Sequence, residues 1–251
     1  MSLELVVLGC CGSGPDPRGP ASGYLVRSPS TAIWLDAGTG TFMALTKWMD
    51  PAAVDAIIVS HLHADHCADL FGYVHYAAYR VGVTAPTPLF VPPGAPDRLA
   101  SFLDAGPGDG FFAAVAPTEV SDGDVLSIGD VTLAFAETAH SVPTIGVRFE
   151  SGGRSLAYSA DTGLGGGFPR LASGADVVLC EAGLGEPRET AEYPYHLSGS
   201  EAGAIAAESH AGRLILTHLA PTLREADVVG AAQTSFGGPV TAASTGLRVN
   251  V

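Results

Sequence analysis

The run Asp55-Ala56-Ile57-Ile58-Val59-Ser60 leads directly into His61-Leu62-His63-Ala64-Asp65-His66, an H-x-H-x-D-H box. The apolar run reads as a buried strand, so three imidazoles and a carboxylate fall within six residues at a strand end. Burying that many polar groups beside an Ile-Ile-Val strand is unfavourable unless they share a partner. A metal ion is such a partner, because neutral imidazole nitrogens and ionised carboxylate oxygens are its ordinary ligands. Alternate side chains of an extended stretch project the same way, so His61 and His63 serve one position and Asp65 and His66, one turn later, a neighbouring one.

The rest of the chain alternates strand and helix signals, which argues for an α/β domain. Strands are predicted at Leu3 to Leu8, Gly23 to Arg27, Thr31 to Leu35, Ala56 to Ser60 and Pro88 to Pro93, with helices opening at Gly38 and running through Trp48, at Leu70 to Arg80 and at Asp97 to Leu103. Gly129-Asp130 and Gly152-Gly153 mark hairpins between Val125 to Ile128 and Val131 to Glu137, and between Ile145 to Glu150 and Ser155 to Ser159. Buried strands are predicted at Val177 to Cys180 and Leu214 to Thr217, with an Ala-rich helix at Ser200 to Ser209 between them. No low-complexity linker divides the sequence, and a two-part rhythm of strands leading to a helix suggests one domain, 1–251, with a pseudo-duplicated core.

An apolar fraction of 47% in 251 residues is ample for a packed core, and no stretch approaches the roughly 20 apolar residues of a membrane span. With no basic leader in Met1 to Val7, the expected location is the cytoplasm. Cys10, Cys11, Cys67 and Cys180 show no C-x-x-C spacing and read as reduced, with a ligand role for Cys67 or Cys180 left open. Twelve Lys plus Arg against 26 Asp plus Glu give a formal charge of −14, and even two bound divalent ions leave it at about −10. That excludes wrapping a long nucleic-acid backbone and suits a small anion held by metal.

Beyond the box, polar residues recur where strand patterns stop: Asp36, His140 in Thr138-Ala139-His140-Ser141, Asp161 in Tyr158-Ser159-Ala160-Asp161-Thr162, Glu181 after Cys180, His196 in Tyr195-His196-Leu197-Ser198, and His218 in Leu216-Thr217-His218-Leu219. Together with the opening Leu8-Gly9-Cys10-Cys11-Gly12-Ser13-Gly14, this ordered set resembles the metallo-β-lactamase fold superfamily. The likeness is stronger to its ribonuclease Z-like phosphodiesterase branch, and Pro20-Ala21-Ser22-Gly23-Tyr24-Leu25 is similar to bacterial atypical cyclic-nucleotide phosphodiesterases.

The resemblance implies a four-layer αβ/βα sandwich with two mixed sheets. It places His61, His63 and His140 on one divalent ion and Asp65, His66 and His218 on a second. Asp161 would bridge the pair together with a water or hydroxide. The ions expected are zinc, with manganese or iron also accepted by such donors. Asp65 would orient the hydroxide, and His196, paired with Glu181, would protonate the leaving group. A capping role for His196, a solvated-loop role for Glu181 and a turn role for Asp36 are the plainer alternatives; otherwise Asp36 would orient a ligand. His75 reads as packing or pocket lining and His210 as a helix C-terminal partner. The resemblance also implies a homodimer.

His63 in place of Glu disfavours the redox di-iron members, Asp161 in place of Cys disfavours true β-lactamases, and His66 with His218 disfavours the single-iron members. Only twenty residues separate His140 from Asp161, too few for the basic arm of the tRNA-processing enzymes. The leading expectation is therefore a phosphodiesterase for cyclic nucleotides or short nucleotide diesters. The alternatives are an ester, lactone or thioester hydrolase, then a tRNA 3′-processing nuclease or an idle metal-binding scaffold.

Overall fold

The computed structural model describes residues 3–78, 85–102, 113–186 and 194–251. One seven-stranded sheet runs β14-β1-β2-β3-β4-β5-β6, formed by Arg248–Asn250, Glu4–Gly9, Gly23–Arg27, Ala32–Leu35, Ala56–Ile58, Thr87–Val91 and Val115–Glu119. The other runs β7-β8-β9-β10-β11-β12-β13, formed by Val125–Ile128, Val131–Glu137, Ile145–Ser151, Arg154–Tyr158, Val177–Glu181, Leu214–Thr217 and Val240–Ala242. Both sheets are mixed in the same way: antiparallel up to β3 and β10, and parallel from there to the far edge.

Strand periodicity explains the layering. Leu5 and Val7 of β1, Ile33 and Leu35 of β3, Leu156 and Tyr158 of β10 and Val177 and Leu179 of β11 share one core between the sheets. Their neighbours Val6, Leu8 and Trp34 face α1 (Thr41–Leu45), α2 (Ala64–Tyr76) and α3 (Ala95–Phe102). Ala157, Val178 and Cys180 face α4 (Phe168–Ala172), α5 (Gly199–Glu208) and α6 (Glu225–Phe236). Each strand thus feeds two cores by alternation, and helices close the outer faces. The result is the αβ/βα sandwich with two mixed sheets. No helix among the described residues is long and apolar enough to cross a membrane.

The predicted hairpins form, with Ile128 opposite Val131 and Ser151 opposite Arg154. Gly152 and Gly153 both take positive φ, 59° and 75°, as a type I′ turn requires. All four helix predictions shift, the one expected from Asp97 starting at Ala95. The helix after the histidine box begins at Ala64 rather than Leu70, because His63 takes the N-cap position and Asp65 sits in a first turn that favours an acid; Tyr79 and Arg80 of the prediction lie outside the described residues, as does Leu103 of the next. The helix expected through Trp48 ends at Leu45. The Ala-rich helix starts at Gly199, where Ser198 and Glu201 form a capping box. Strands β6, β13 and β14 and helices α4 and α6 were not anticipated.

Phe149, fully buried between the sheets, is expected to contribute strongly to stability. Phe149→Ala should lower unfolding free energy by about 3–5 kcal/mol in urea titrations, whereas Val125→Ala, at a residue 67% exposed, should change it by under about 0.5 kcal/mol. Equal effects would contradict a shared inter-sheet core.

Candidate metal centre

The histidines and acids singled out in the sequence meet at the carboxyl ends of strands from both sheets, where open α/β sheets place their ligands. Asp36 follows β3, the box follows β4, His140 follows β8, Asp161 follows β10, Glu181 ends β11 and His218 follows β12. Three overlapping groups form, one of them Asp161, His196 and His218. His61, His63, His140 and Asp161 present ligand atoms all within 4.8 Å of one another, and Asp65, His66 and His218 do the same. The carboxylate of Asp161 divides between them: Oδ2 lies 3.6 Å from His61 Nε2 and 3.9 Å from His140 Nε2, whereas Oδ1 lies 3.2 Å from His66 Nε2 and 3.4 Å from His218 Nε2. Asp65 Oδ2 completes the second group, 3.2 Å from His218 Nε2.

Hydrogen bonds behind the rings fix which nitrogen faces inward. Buried Asp36 accepts from the Ser60 N–H at 2.7 Å, the Ser60 hydroxyl at 2.9 Å, the Tyr158 hydroxyl at 2.7 Å and His66 Nδ1 at 2.8 Å. Since Ser60 gives its proton to Asp36, its oxygen accepts from His61 Nδ1 at 3.1 Å. His140 Nδ1 donates to the Tyr195 carbonyl at 3.1 Å. His61, His66 and His140 are thereby held with bare Nε2 lone pairs toward Asp161. In the first group His61 Nε2 and His140 Nε2 stand 3.0 and 3.2 Å from His63 Nδ1, so three imidazole lone-pair positions converge on one point.

Such convergence demands a cation. His66 Nε2 and Asp161 Oδ1 are buried without a hydrogen-bond partner. Burial would keep His66 neutral, but the charges of Asp161 and Asp36 push it well above the ordinary histidine range. His218 moves up for a similar reason, with Asp161 and Asp65 outweighing burial. Asp161 is buried yet held well below the usual carboxylate range by His218 and His66. His61, by contrast, is pushed well down by burial and by its histidine neighbours, as a lone-pair donor should be. The pocket therefore holds carboxylate charge that either protons or metal ions must balance, and this donor set fits divalent ions. No cysteine joins either group among the described residues; burial lifts the Cys67 thiol to about 11 and the Cys180 thiol further.

Beside these groups His196 Nδ1 lies 2.9 Å from Glu181 Oε1, and its ring stacks on His218 at 5.5 Å. Glu181 is buried and accepts from the N–H groups of Thr162, Gly183 and Leu197, so it is a fixed anchor rather than a solvated loop acid. Burial alone would lower the His196 pKa, but the hydrogen bond and charge of Glu181 raise it to about 9. Ser198, not His196, caps α5. His75 is exposed in the last turn of α2, at the opposite end from Asp65 and His66.

Three non-glycine residues at these strand ends hold positive φ: Asp36 at 54°, Ala160 at 53° and His218 at 56°. Strain of that kind persists only where the surroundings fix it. Gly38 is needed for a different reason: a Cβ there would sit 2.0 Å from the Asp65 carbonyl oxygen, which accepts from Ser22 N–H. Sequence reading missed Ser60, Tyr158, Thr162 and the Tyr195 carbonyl. The inward register of Tyr158 and the place of Ser60 just before His61 were available signals, whereas a backbone carbonyl leaves none.

A four-layer αβ/βα sandwich with a histidine-aspartate cluster at its strand ends defines a class of metallo-hydrolases. A model of the beta-lactamase superfamily domain matches residues 31–219, more than half of the chain, and the protein belongs to that superfamily. Rv1339, an uncharacterized protein of Mycobacterium tuberculosis, is 38% identical over 246 residues, covering 96% of this chain and 89% of its own. A ribonuclease Z of Mycobacterium bovis is 30% identical over 276 residues, covering 99% and 98%. The crystal structure of the metallo-beta-lactamase fold protein YhfI from Bacillus subtilis shares the fold, with a TM-score of 0.90 at 24% identity over 100% of both chains.

Asp36→Asn removes one of the acceptor positions that hold His66 and Ser60. Competition with a chromophoric chelator should show affinity for one divalent ion lowered by about 10–100-fold. Unchanged affinity would refute the orienting role of Asp36.

Proposed function

We propose that the protein is a dinuclear phosphodiesterase acting on cyclic nucleotides or short nucleotide diesters. The observation that carries the reading is the division of the Asp161 carboxylate between two donor groups. In this reading His61, His63 and His140 would hold one divalent ion and Asp65, His66 and His218 a second, with Asp161 available to both; zinc would match the donors. Two such ions, when bound, acidify a water and neutralise the non-bridging oxygens of a phosphodiester.

The chain's own residues do the rest. Asp65 is positioned to hold the proton of the attacking water, its second oxygen being free of the contact with His218. His196 is the proton donor for the departing alkoxide. Glu181 accepts from its Nδ1 and favours the imidazolium, so Nε2 would carry the proton passed to the leaving oxygen. A donor of this kind favours a phosphodiester with a poor alkoxide leaving group over an ester or lactone hydrolase.

Substrate size follows from the chain between His140 and Asp161. It is taken up by β9, the Gly152-Gly153 turn and β10, which leaves no room for a basic arm to hold tRNA. The net charge of −14 supports the same choice.

Two outcomes test the proposal. His63→Ala and Asp161→Ala should each abolish hydrolysis of cyclic AMP and bis-p-nitrophenyl phosphate; wild-type rates in either would refute the mechanism. His196→Ala should slow cyclic AMP hydrolysis by roughly 10²–10⁴-fold but bis-p-nitrophenyl phosphate much less, because p-nitrophenolate departs without a proton. Equal losses on both substrates, or turnover of lactones faster than of any diester, would favour the ester-hydrolase reading.

A further inference from the structure

Arginine is scarce in this acidic chain, and most of it is committed. Of the nine arginines among the described residues, Arg18, Arg27, Arg148, Arg154, Arg170, Arg224 and Arg248 pair with a carboxylate, which leaves Arg98 and Arg213 without an ion-pair partner. Arg213 precedes β12, at the end of that strand away from His218. Arg98 is different. It lies on α3, whose residues Ala95 and Leu99 are buried while Arg98 is exposed, and it lines a pocket that His63 also lines.

That pocket opens beside the first donor group. Its other walls are apolar, including Pro92 and Pro93 after β5 and Val142 and Pro143 just beyond His140, and its cavity volume is about 50 Å³. The proline-rich walls are stiff and provide no counter-charge to Arg98. An exposed guanidinium without an ion-pair partner on an apolar rim, in a molecule of charge −14, is a positive group open to an anion next to the candidate centre. Guanidinium recognises phosphate through paired N–H donors.

We infer that Arg98 and this pocket form a subsite for a second anionic group, a phosphate monoester carried by the substrate in addition to the phosphoryl group held at the centre. The inference rests on the phosphodiesterase reading for its substrate class, and it narrows that class to nucleotides with a further terminal phosphate. A simple cyclic mononucleotide would be turned over without using the subsite. The role of Arg98 is discrimination among substrates, not chemistry.

Isothermal titration calorimetry of the zinc-loaded protein with thymidine 3′,5′-bisphosphate and thymidine 5′-monophosphate tests it. The bisphosphate should bind roughly tenfold or more tightly than the monophosphate, as expected for one charge-assisted contact. Arg98→Ala should bring that ratio to about one, Arg98→Lys should retain part of it, and Arg213→Ala should leave it intact. Equal binding of both nucleotides to the wild-type protein, failure of either to bind, or an unchanged ratio in Arg98→Ala would overturn the subsite. Intact discrimination through Arg98 in a protein that hydrolyses no diester would support the subsite while refuting the phosphodiesterase reading.

Discussion

A buried carboxylate faced from both sides by imidazole nitrogens is the constraint on which the rest of this structure turns. Asp161 is almost fully enclosed, and its two oxygens look toward different histidine groups. Left with bare lone pairs and no cation, such a cluster would be strongly unfavourable in a medium of low dielectric. The fold answers by locking three of the rings, His61, His66 and His140, from behind. Asp36 gathers Ser60, Tyr158 and His66, Ser60 passes the constraint to His61, and the Tyr195 carbonyl does the same for His140. Rings fixed in this way lose little freedom when an ion enters, which is the physical meaning of a preorganised site.

The two sheets reach this arrangement by a common plan. Each changes from antiparallel to parallel pairing at one strand, β3 in the first and β10 in the second, and each of those strands ends one to three residues before an aspartate of the centre, Asp36 or Asp161. Asp36, the first residue after β3, and Ala160, the second after β10, have nearly the same positive φ. The two turns send one carboxylate behind the histidines and the other between them. A duplicated layout thus yields two unlike roles, with the first sheet supplying Asp36 and the whole box and the second supplying His140, Asp161, Glu181 and His218.

Much of this was legible in the sequence, for identifiable reasons. The box could be read because its ligand-type residues are contiguous and follow an apolar strand, and the remaining candidates because each ends a strand pattern. Hairpins with Gly-Gly or Gly-Asp turns were readable because their conformation demands those residues. Elements held by tertiary contacts were not: β6 includes Pro117 and only one buried residue, and β13 and β14 are three-residue edges. The start of α2 was hidden because helix N-terminal preference and metal-ligand spacing compete for the same residues. The ring-locking partners were the least visible, since one is a backbone carbonyl and the others are ordinary Ser and Tyr. Arg98 became informative only once the partners of the other arginines were known.

The central claim concerns what Asp161 stands between. Anomalous diffraction at the zinc absorption edge, from crystals grown with the zinc-loaded protein, addresses it without reference to turnover. Two peaks flanking Asp161 are expected, one near Oδ2 among His61, His63 and His140 and one near Oδ1 among Asp65, His66 and His218, at coordination distances of about 2.0–2.2 Å. A single peak at saturating zinc, or peaks that leave either oxygen of Asp161 uncoordinated, would contradict the account.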